Sequence, residues 1–317
     1  MMECRVSLGS GRMFDLPQPE EWTFRYGTGT PCDSFNLRCP WEGGQEELFA
    51  EISRFQADWA GERVFTGVVD ECRCGCGGEG RWLELSGRGM AALLLDNEAM
   101  PAQYQRAALA DILADHVTPY GIVAVGGGAL PAVSGFEVSS GVSEWSVLWD
   151  FACYHGGVVP RFDRQGRLVL EGHKNQRALT LDGRTAVTAW EYRDQRHGVL
   201  SQAAVRRRTA AGVQWVRDED FIAQGGCARR VITVPNTTAG AAMRYSADWQ
   251  LKASRRDRVR LSVTLPGAFA AWPGELVAVS RADMGPAGEY RVAESAVRCG
   301  AGGLSTTLEL APPDAMI

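Results

Sequence analysis

The sequence predicts a mainly β protein with an α/β insert: β-rich blocks at residues 1–95 and 180–317 flank a helix-and-hairpin unit at 96–179. Three observations carry this. Period-two alternation of apolar and polar residues fills both outer blocks, helical spacing is confined to the middle, and glycine or proline breaks punctuate the strands. At 317 residues the chain exceeds one typical domain of roughly 100–200 residues, and 45% hydrophobic residues suffice for real cores.

In the first block, Trp22–Tyr26 alternates large aromatic with polar residues, residues 27–31 break the pattern, and Ser34–Cys39 resumes it. Arg63–Cys72 and Arg81–Arg88 read as two strands joined across a glycine-rich tip, a hairpin. Several short strands at this spacing point to a small barrel or sandwich. In the middle unit, Pro101 stands where a helix can begin, and Tyr104, Ala108, Leu109, Ile112, Leu113 and Val117 keep helical spacing up to Thr118-Pro119. Residues 121–137 read as irregular, with Gly126-Gly127-Gly128 a flexible connector. A second helix is expected from Ser143 to His155, with Trp145, Leu148, Trp149 and Ala152 on one face and Gly156-Gly157 as its cap. A hairpin turning at Asp163–Gly166 follows, and Trp145 is expected to pack on it. In the last block, strands are expected at 186–193, 198–208, 213–217, 231–234, 258–264, 275–280, 289–297 and 304–310, with a short helix around Ala241–Ser254.

Composition narrows the function classes. No apolar run approaches the roughly 18 residues of a membrane span, and Met1–Arg5 lacks the layout of a secretory signal. The expectation is a chain made in the cytoplasm, with no membrane insertion. The net charge is −5, yet residues 191–260 hold 14 basic and 7 acidic side chains, which leaves −12 on the remainder. A nucleic-acid-binding domain is usually basic overall; this chain is an acidic body with one basic segment. Nine scattered cysteines form no disulfide framework. The Cys72, Cys74, Cys76 run alternates along a strand instead of forming the paired units of a zinc site, so reduced thiols at a hairpin tip are expected.

Catalytic constellations are absent from the sequence. There is no Gly-x-Ser-x-Gly elbow, no His-Glu-x-x-His and no phosphate loop with Lys-Ser/Thr. His116, His155, His173 and His197 fall near element ends, where solvated histidines are usual. Cys153 and His155 are two apart on a helix and do not face each other. Asp218, Glu219 and Asp220 read as a solvated face, Asn236-Thr237-Thr238 as a turn, and Trp82, Trp145 and Trp215 as core. The expectation is no catalytic residue, no cofactor and no metal.

The order of patterns is more informative than any one of them. Gly141-Val142-Ser143-Glu144-Trp145 through Gly156, followed by Phe162–Leu170, resembles a segment of phage tail baseplate hub proteins of the late-control-D and Mu-like family, related in fold to the T4 hub. Phe65–Asp70 leading to Leu85–Arg88 resembles that family's first-barrel hairpin, and Pro273–Val279 with Gly288–Val292 its last barrel. The resemblance implies two small tube-like β-barrels, 1–95 and 180–317, flanking the 96–179 domain. It further implies a homotrimeric ring that adapts a sixfold tail tube, or tube-initiator protein, to a threefold spike. A tape-measure protein would occupy the channel, and the assembled particle would be a contractile phage, tailocin or related injection system.

The Cys72–Gly80 tip and the basic 206–230 stretch match no pattern of that family. Arg206 and Arg208 share one side of a strand while Arg207 points to the other. A conduit for DNA should not grip phosphates, so Arg206, Arg208, Arg217, Arg229 and Arg230 are expected to meet acidic surfaces of an assembly partner, with no specific nucleic-acid binding. The alternative reading is a tail-associated cell-wall hydrolase or carbohydrate-binding module.

Overall fold

The computed structural model describes residues 1–28, 32–44, 46–78, 80–208, 212–235 and 242–315. The first block contains β1 (Met2–Leu8), β2 (Met13–Asp15), β3 (Glu21–Gly27), β4 (Ser34–Pro40), β5 (Ile52–Trp59), β6 (Glu62–Gly77) and β7 (Gly80–Gly89). They lie in the order β3-β4-β7-β6-β5-β1-β2. Alternation decides which side chains turn inward: Met2, Cys4, Val6 and Leu8 from β1, Trp22, Phe24 and Tyr26 from β3, Phe35, Leu37 and Cys39 from β4. In the core, Phe35 stacks on Phe55 at 4.0 Å, and Phe24 and Phe65 sit 5.4 Å apart. Gly87 belongs in this sheet because a β-carbon there would strike the Val68 carbonyl and the Phe35 ring.

The middle unit holds α1 (Ala92–Leu95), β8 (Ala102–Ala107), α2 (Leu109–His116), β9 (Ala124–Gly126), β10 (Val133–Val138), α3 (Glu144–Trp149), β11 (Arg161–Phe162) and β12 (Leu168–Leu170). Residues 102–107 are a strand, not the first turns of a helix. Pairing of β8 with β10 overrides the local helical spacing, and the helix begins only at Leu109, where the Ala108 N–H donates to the Asp111 carboxylate at 2.8 Å. The stretch 121–137, read as irregular, contributes β9 and β10; β9 pairs in parallel with β12. Helix α3 begins at a Ser143 cap, whose Oγ accepts from the Ser146 N–H, and continues as a π-helical turn, Asp150–His155. Trp145 is buried, its ring 6.2 Å from Phe162 of β11, as expected. His116 is not solvated. Its Nδ1 lies 2.6 Å from Glu144 Oε2 and its Nε2 3.0 Å from the Tyr104 hydroxyl, and the Tyr120 hydroxyl donates to Glu144 Oε1 at 3.0 Å. The chain places a hydrogen-bonded His116–Glu144 pair under α3, and removing either side chain leaves a buried polar group of the other without its partner.

The last block comprises β13 (Arg177–Leu181), β14 (Ala189–Asp194), β15 (Gln202–Arg207), β16 (Val213–Arg217), α4 (Glu219–Ala223), β17 (Arg229–Val234), α5 (Ala247–Ser254), β18 (Val259–Pro266), β19 (Leu276–Val279), β20 (Gly288–Gly300) and β21 (Gly303–Ala311). Its strands run β14-β18-β21-β20, with β19 on β20 and β13 parallel to β19. The long β20 then joins the two blocks. Its start pairs with β19, and past an irregularity between Val292 and Glu294 the same strand pairs with β3 from Glu294 to Cys299. One 13-stranded sheet therefore runs through both outer blocks, and its path ends at β14 and β2.

The first core is completed from the far end of the sequence. Ala268, Phe269, Trp272, Val297, Cys299 and Leu304 all pack on it. Phe269 stacks on Trp22 (5.9 Å) and on Trp272 (5.3 Å) while holding a left-handed backbone, φ 54°. Such a conformation costs a bulky residue roughly 1–2 kcal/mol, and ring stacking holds it.

Candidate assembly interface

The basic segment forms an arm. Asp194 pairs with Val259, and the Gln195 N–H donates to the Arg258 carbonyl at 2.7 Å, so the chain leaves the large sheet at 195 and re-enters it at 258. Between those points β16-β15-β17 form a separate three-stranded sheet, β15 antiparallel to β16 and parallel to β17. One face packs on α5 through Leu200, Ala203, Ile232, Ala247 and Leu251. Helix α5 starts at a Ser246 cap, and Asp218 caps α4, its carboxylate accepting from the Phe221 N–H at 3.1 Å. The expected 241–254 helix is thus shortened; Ala241 and the Asn236-Thr237-Thr238 turn lie outside the described residues.

Register sorts the arginines. Gln202, Arg217 and Arg229 are cross-strand neighbours, as are Ala204, Trp215 and Val231, and then Arg206, Val213 and Thr233. These three rows share the face turned away from α5. Arg217 and Arg229 each lie 5.8 Å from the Trp215 ring, and Arg206 Nε donates to Thr233 Oγ1 at 3.1 Å. Arg208 follows β15 directly, exposed, beside a surface hollow that Arg206, Thr233 and Tyr245 also line. Arg230 belongs to the opposite face, where its guanidinium donates to Gln250 of α5. The structure therefore brings Arg206, Arg217 and Arg229 onto one face and turns Arg230 away from them.

Trp215 is not core. It is 43% exposed, with Val213 at 49% and Val231 at 57% beside it. Trp82 is also outside the core, half-buried beneath the Arg38 guanidinium at 4.9 Å. An exposed Trp between two valines, rimmed by arginines, is the composition of an interface hot spot, because large rings and planar guanidinium groups give contact area and hydrogen bonds at modest entropic cost. The signal in the sequence was Val213-Gln214-Trp215-Val216-Arg217, in which the alternate residues 213, 215 and 217 fall on one face. Nothing local says whether that face is covered.

A row of carboxylates lies on the large sheet. Glu191, Ser262, Glu309 and Glu294 occupy one cross-strand row over β14, β18, β21 and β20. They line a shallow groove of about 380 Å³ with Arg193, Asp257 and Arg260, and Arg260 pairs with Asp257. Glu294 and Glu309 stand directly opposite each other, an unfavourable pairing of like charges in a groove that Arg193 and Arg260 also line.

Where the two β blocks meet the insert, a cavity of about 210 Å³ is lined by Tyr26, Asp33, Arg161, Arg164, Trp272 and Glu275, among others. Asp33 accepts from the Gly27 N–H at 3.1 Å, and burial pushes its carboxyl up to about 7. Nearby, burial and the Arg161 and Arg291 charges push His173 down to about 4. On β6, Cys72 is half-buried and Cys74 and Cys76 are exposed. All nine cysteines are free thiols.

No family model matches the chain, and no curated protein matches it. Solved structures do. A tail protein from Neisseria meningitidis is similar along 99% of both chains at 20% identity, with a TM-score of 0.80. The 43 kDa tail protein of prophage MuSo2 from Shewanella oneidensis is similar along 99% of both chains, also at 20% identity, TM-score 0.77. A component of the E. coli type VI secretion system, itself similar to T4 bacteriophage tail proteins gp27 and gp5, matches 98% of this chain and 76% of its own at 13% identity, TM-score 0.58. The fold of this chain is, from end to end, that of these tail proteins.

Proposed function

We propose that this chain is a structural hub of the baseplate of a contractile phage tail or tail-like particle. Three copies form a ring in which each contributes two tube-like β units, from residues 1–95 and 180–317, with the 96–179 domain between them. Six such units match the hexameric tail tube or its initiator above, and three chains match a trimeric spike below, with the tape-measure protein in the channel. The observation that carries this reading is the agreement in fold with tail proteins over the whole chain. The single sheet that β20 threads through both β blocks fits this reading, since backbone hydrogen bonds join the two units within one chain.

In this reading the arm's Trp215 face, with Arg206, Arg217 and Arg229, docks on an acidic surface of a neighbouring subunit, tube or spike. The test is the paired substitution Arg206→Glu and Arg208→Glu. Both residues are exposed, so thermal stability should stay within about 0.5 kcal/mol of wild type, while particle assembly in cells is blocked. The wild-type chain should sediment as a trimer and show little DNA affinity at physiological salt. A strictly monomeric or hexameric wild-type chain, or tight salt-sensitive DNA binding that the variant loses, would overturn the reading.

A further inference from the structure

The arm's outward face and the outer face of the large sheet carry one pattern in opposite sign. On the arm, Arg217, Gln202 and Arg229 form a cross-strand row over β16, β15 and β17. On the sheet, Glu191, Ser262 and Glu309 form a row over β14, β18 and β21, and Glu294 extends it onto β20. Neighbouring strands lie about 4.8 Å apart, so Arg217 and Arg229 stand roughly 9.6 Å apart, as do Glu191 and Glu309. In each row a neutral polar residue sits between the two charges.

The next rows match in shape. Beside the arginines come Trp215, Ala204 and Val231, and the Trp215 and Val231 side chains project into solvent. Beside the glutamates come Ala189, Thr264, Thr307 and Ala296, all small, with the two threonine hydroxyls hydrogen-bonded at 3.0 Å. A ridge of large apolar side chains therefore faces a shelf of short ones. Both lie one step, about 6.7 Å along the strands, from their charged row.

The charged rows are unspent. Among the described residues Glu191, Glu294 and Glu309 enter no ion pair, and Arg217 and Arg229 lie by the Trp215 ring without one. Arg193 and Arg260 stand opposite each other in the row nearer the arm's root, and Arg260 is taken up by Asp257. Arg260 is only 9% exposed, and its Nη1 is buried without an acceptor. A buried guanidinium N–H left unmade costs stability that an incoming acceptor recovers.

We propose that the arm of one copy docks face to face on the β14-β18-β21 surface of a second copy. Arg217 and Arg229 meet Glu191 and Glu309, Trp215 lies on the threonine and alanine shelf, and Gln202, set over Ser262, brings its amide oxygen to Arg260. Packed sheets lie about 10 Å apart, a gap that an arginine and a glutamate span together. An arginine seated at Glu309 also offsets the like charges of Glu294 and Glu309. The two faces do not meet within one chain, where Trp215 stays exposed. A contact between unlike patches of identical chains closes into a ring when its rotation allows. The inference rests on the hub reading for that ring, and names the neighbouring subunit as the arm's partner.

The test is self-association of the full chain, measured by sedimentation over a range of concentrations. Two double variants are compared with wild type: Glu191→Arg with Glu309→Arg, and Arg217→Glu with Arg229→Glu. Each should weaken association at least about a hundredfold, because like charges then face each other, and a chain carrying all four substitutions should regain it. Where a variant loses its circular dichroism signal, a benzophenone side chain at position 215 of the otherwise wild-type chain decides, and should cross-link to position 189, 264 or 307 of a second copy. Wild-type association that neither double variant weakens, no recovery with all four substitutions, or cross-links formed only within one chain would each overturn the proposal. If particle assembly in cells still fails in the arm variant after such a result, the arm's partner is the tube or spike and the hub reading stands. A wild-type chain that stays monomeric at every concentration overturns both.

Discussion

The first β block and the arm are both β-sheets with a covered face, yet they are built to different standards. Among the described residues, the block's core buries sixteen, including Phe24, Phe35, Phe55 and Phe65, and rings from residues 269 and 272 seal it. Among the described residues of the arm, the core buries five, two of them alanines, and a tryptophan is left in solvent. Apolar burial contributes about 25 cal/mol per Å², so the block can stand rigid while the arm is held by little. The difference teaches where the molecule keeps its stiffness and where it keeps its contact surface.

The largest expected effect lies in the block. Phe24→Ala removes a ring touching Trp22, Tyr26, Phe55, Phe65 and Phe269, and should cost roughly 3–5 kcal/mol in global thermal or denaturant unfolding. A loss below about 1 kcal/mol would mean that this core is not the frame. A smaller and local effect is expected in the arm. Ile232→Ala should cost about 2–3 kcal/mol, read as faster hydrogen exchange in β15, β16 and β17 with the β3 and β4 amides unchanged. Equal acceleration in both regions would erase the distinction drawn between them.

The smallest effect is a pH dependence at the junction of the blocks with the insert. Asp33 has its folded value raised to about 7 from an ordinary 3.8, so the folded chain binds that proton more tightly than the unfolded chain. Its contribution to stability is whole below about pH 4 and is lost as pH rises through 7. Asp33→Asn keeps the acceptor for the Gly27 N–H and cannot ionise. The variant should therefore gain in melting temperature over wild type between pH 4 and pH 8. A difference that is flat with pH would show that Asp33 titrates as a solvated carboxylate.

Much of the fold was legible residue by residue. Strands such as β3, β16 and the β11–β12 hairpin announce themselves by alternation or by a turn at Asp163–Gly166, because burial of one face acts locally on every second residue. Met2–Leu8 and Phe55–Ala57 show the same alternation, followed by turns at Gly9–Gly11 and Ala60-Gly61, yet neither stood among the expected strands. The error at 102–107 has a definite cause: Tyr104 fits a helical stripe, but residues 102–107 pair with β10, where the Tyr104 ring packs on Phe136, a contact available only once β10 is in place. Of the arginines, the sequence placed Arg206 and Arg208 together on parity alone, whereas Arg230 turns toward α5 because β17 pairs with β15 in parallel, a register without local signature.

By itself, then, the sequence determined the β-rich outer blocks, the helix capped at Ser143, the hairpin that Trp145 packs on and a basic segment within an acidic body. These depend on propensity, period and turn chemistry, which act over a few residues. Only the tertiary structure decided that β20 binds both β blocks into one sheet, that Phe269 seals a core begun at residue 2, and that Trp215 faces water. Each of those is a contact between residues far apart in the chain, where what matters is which surfaces meet, and no local pattern records that.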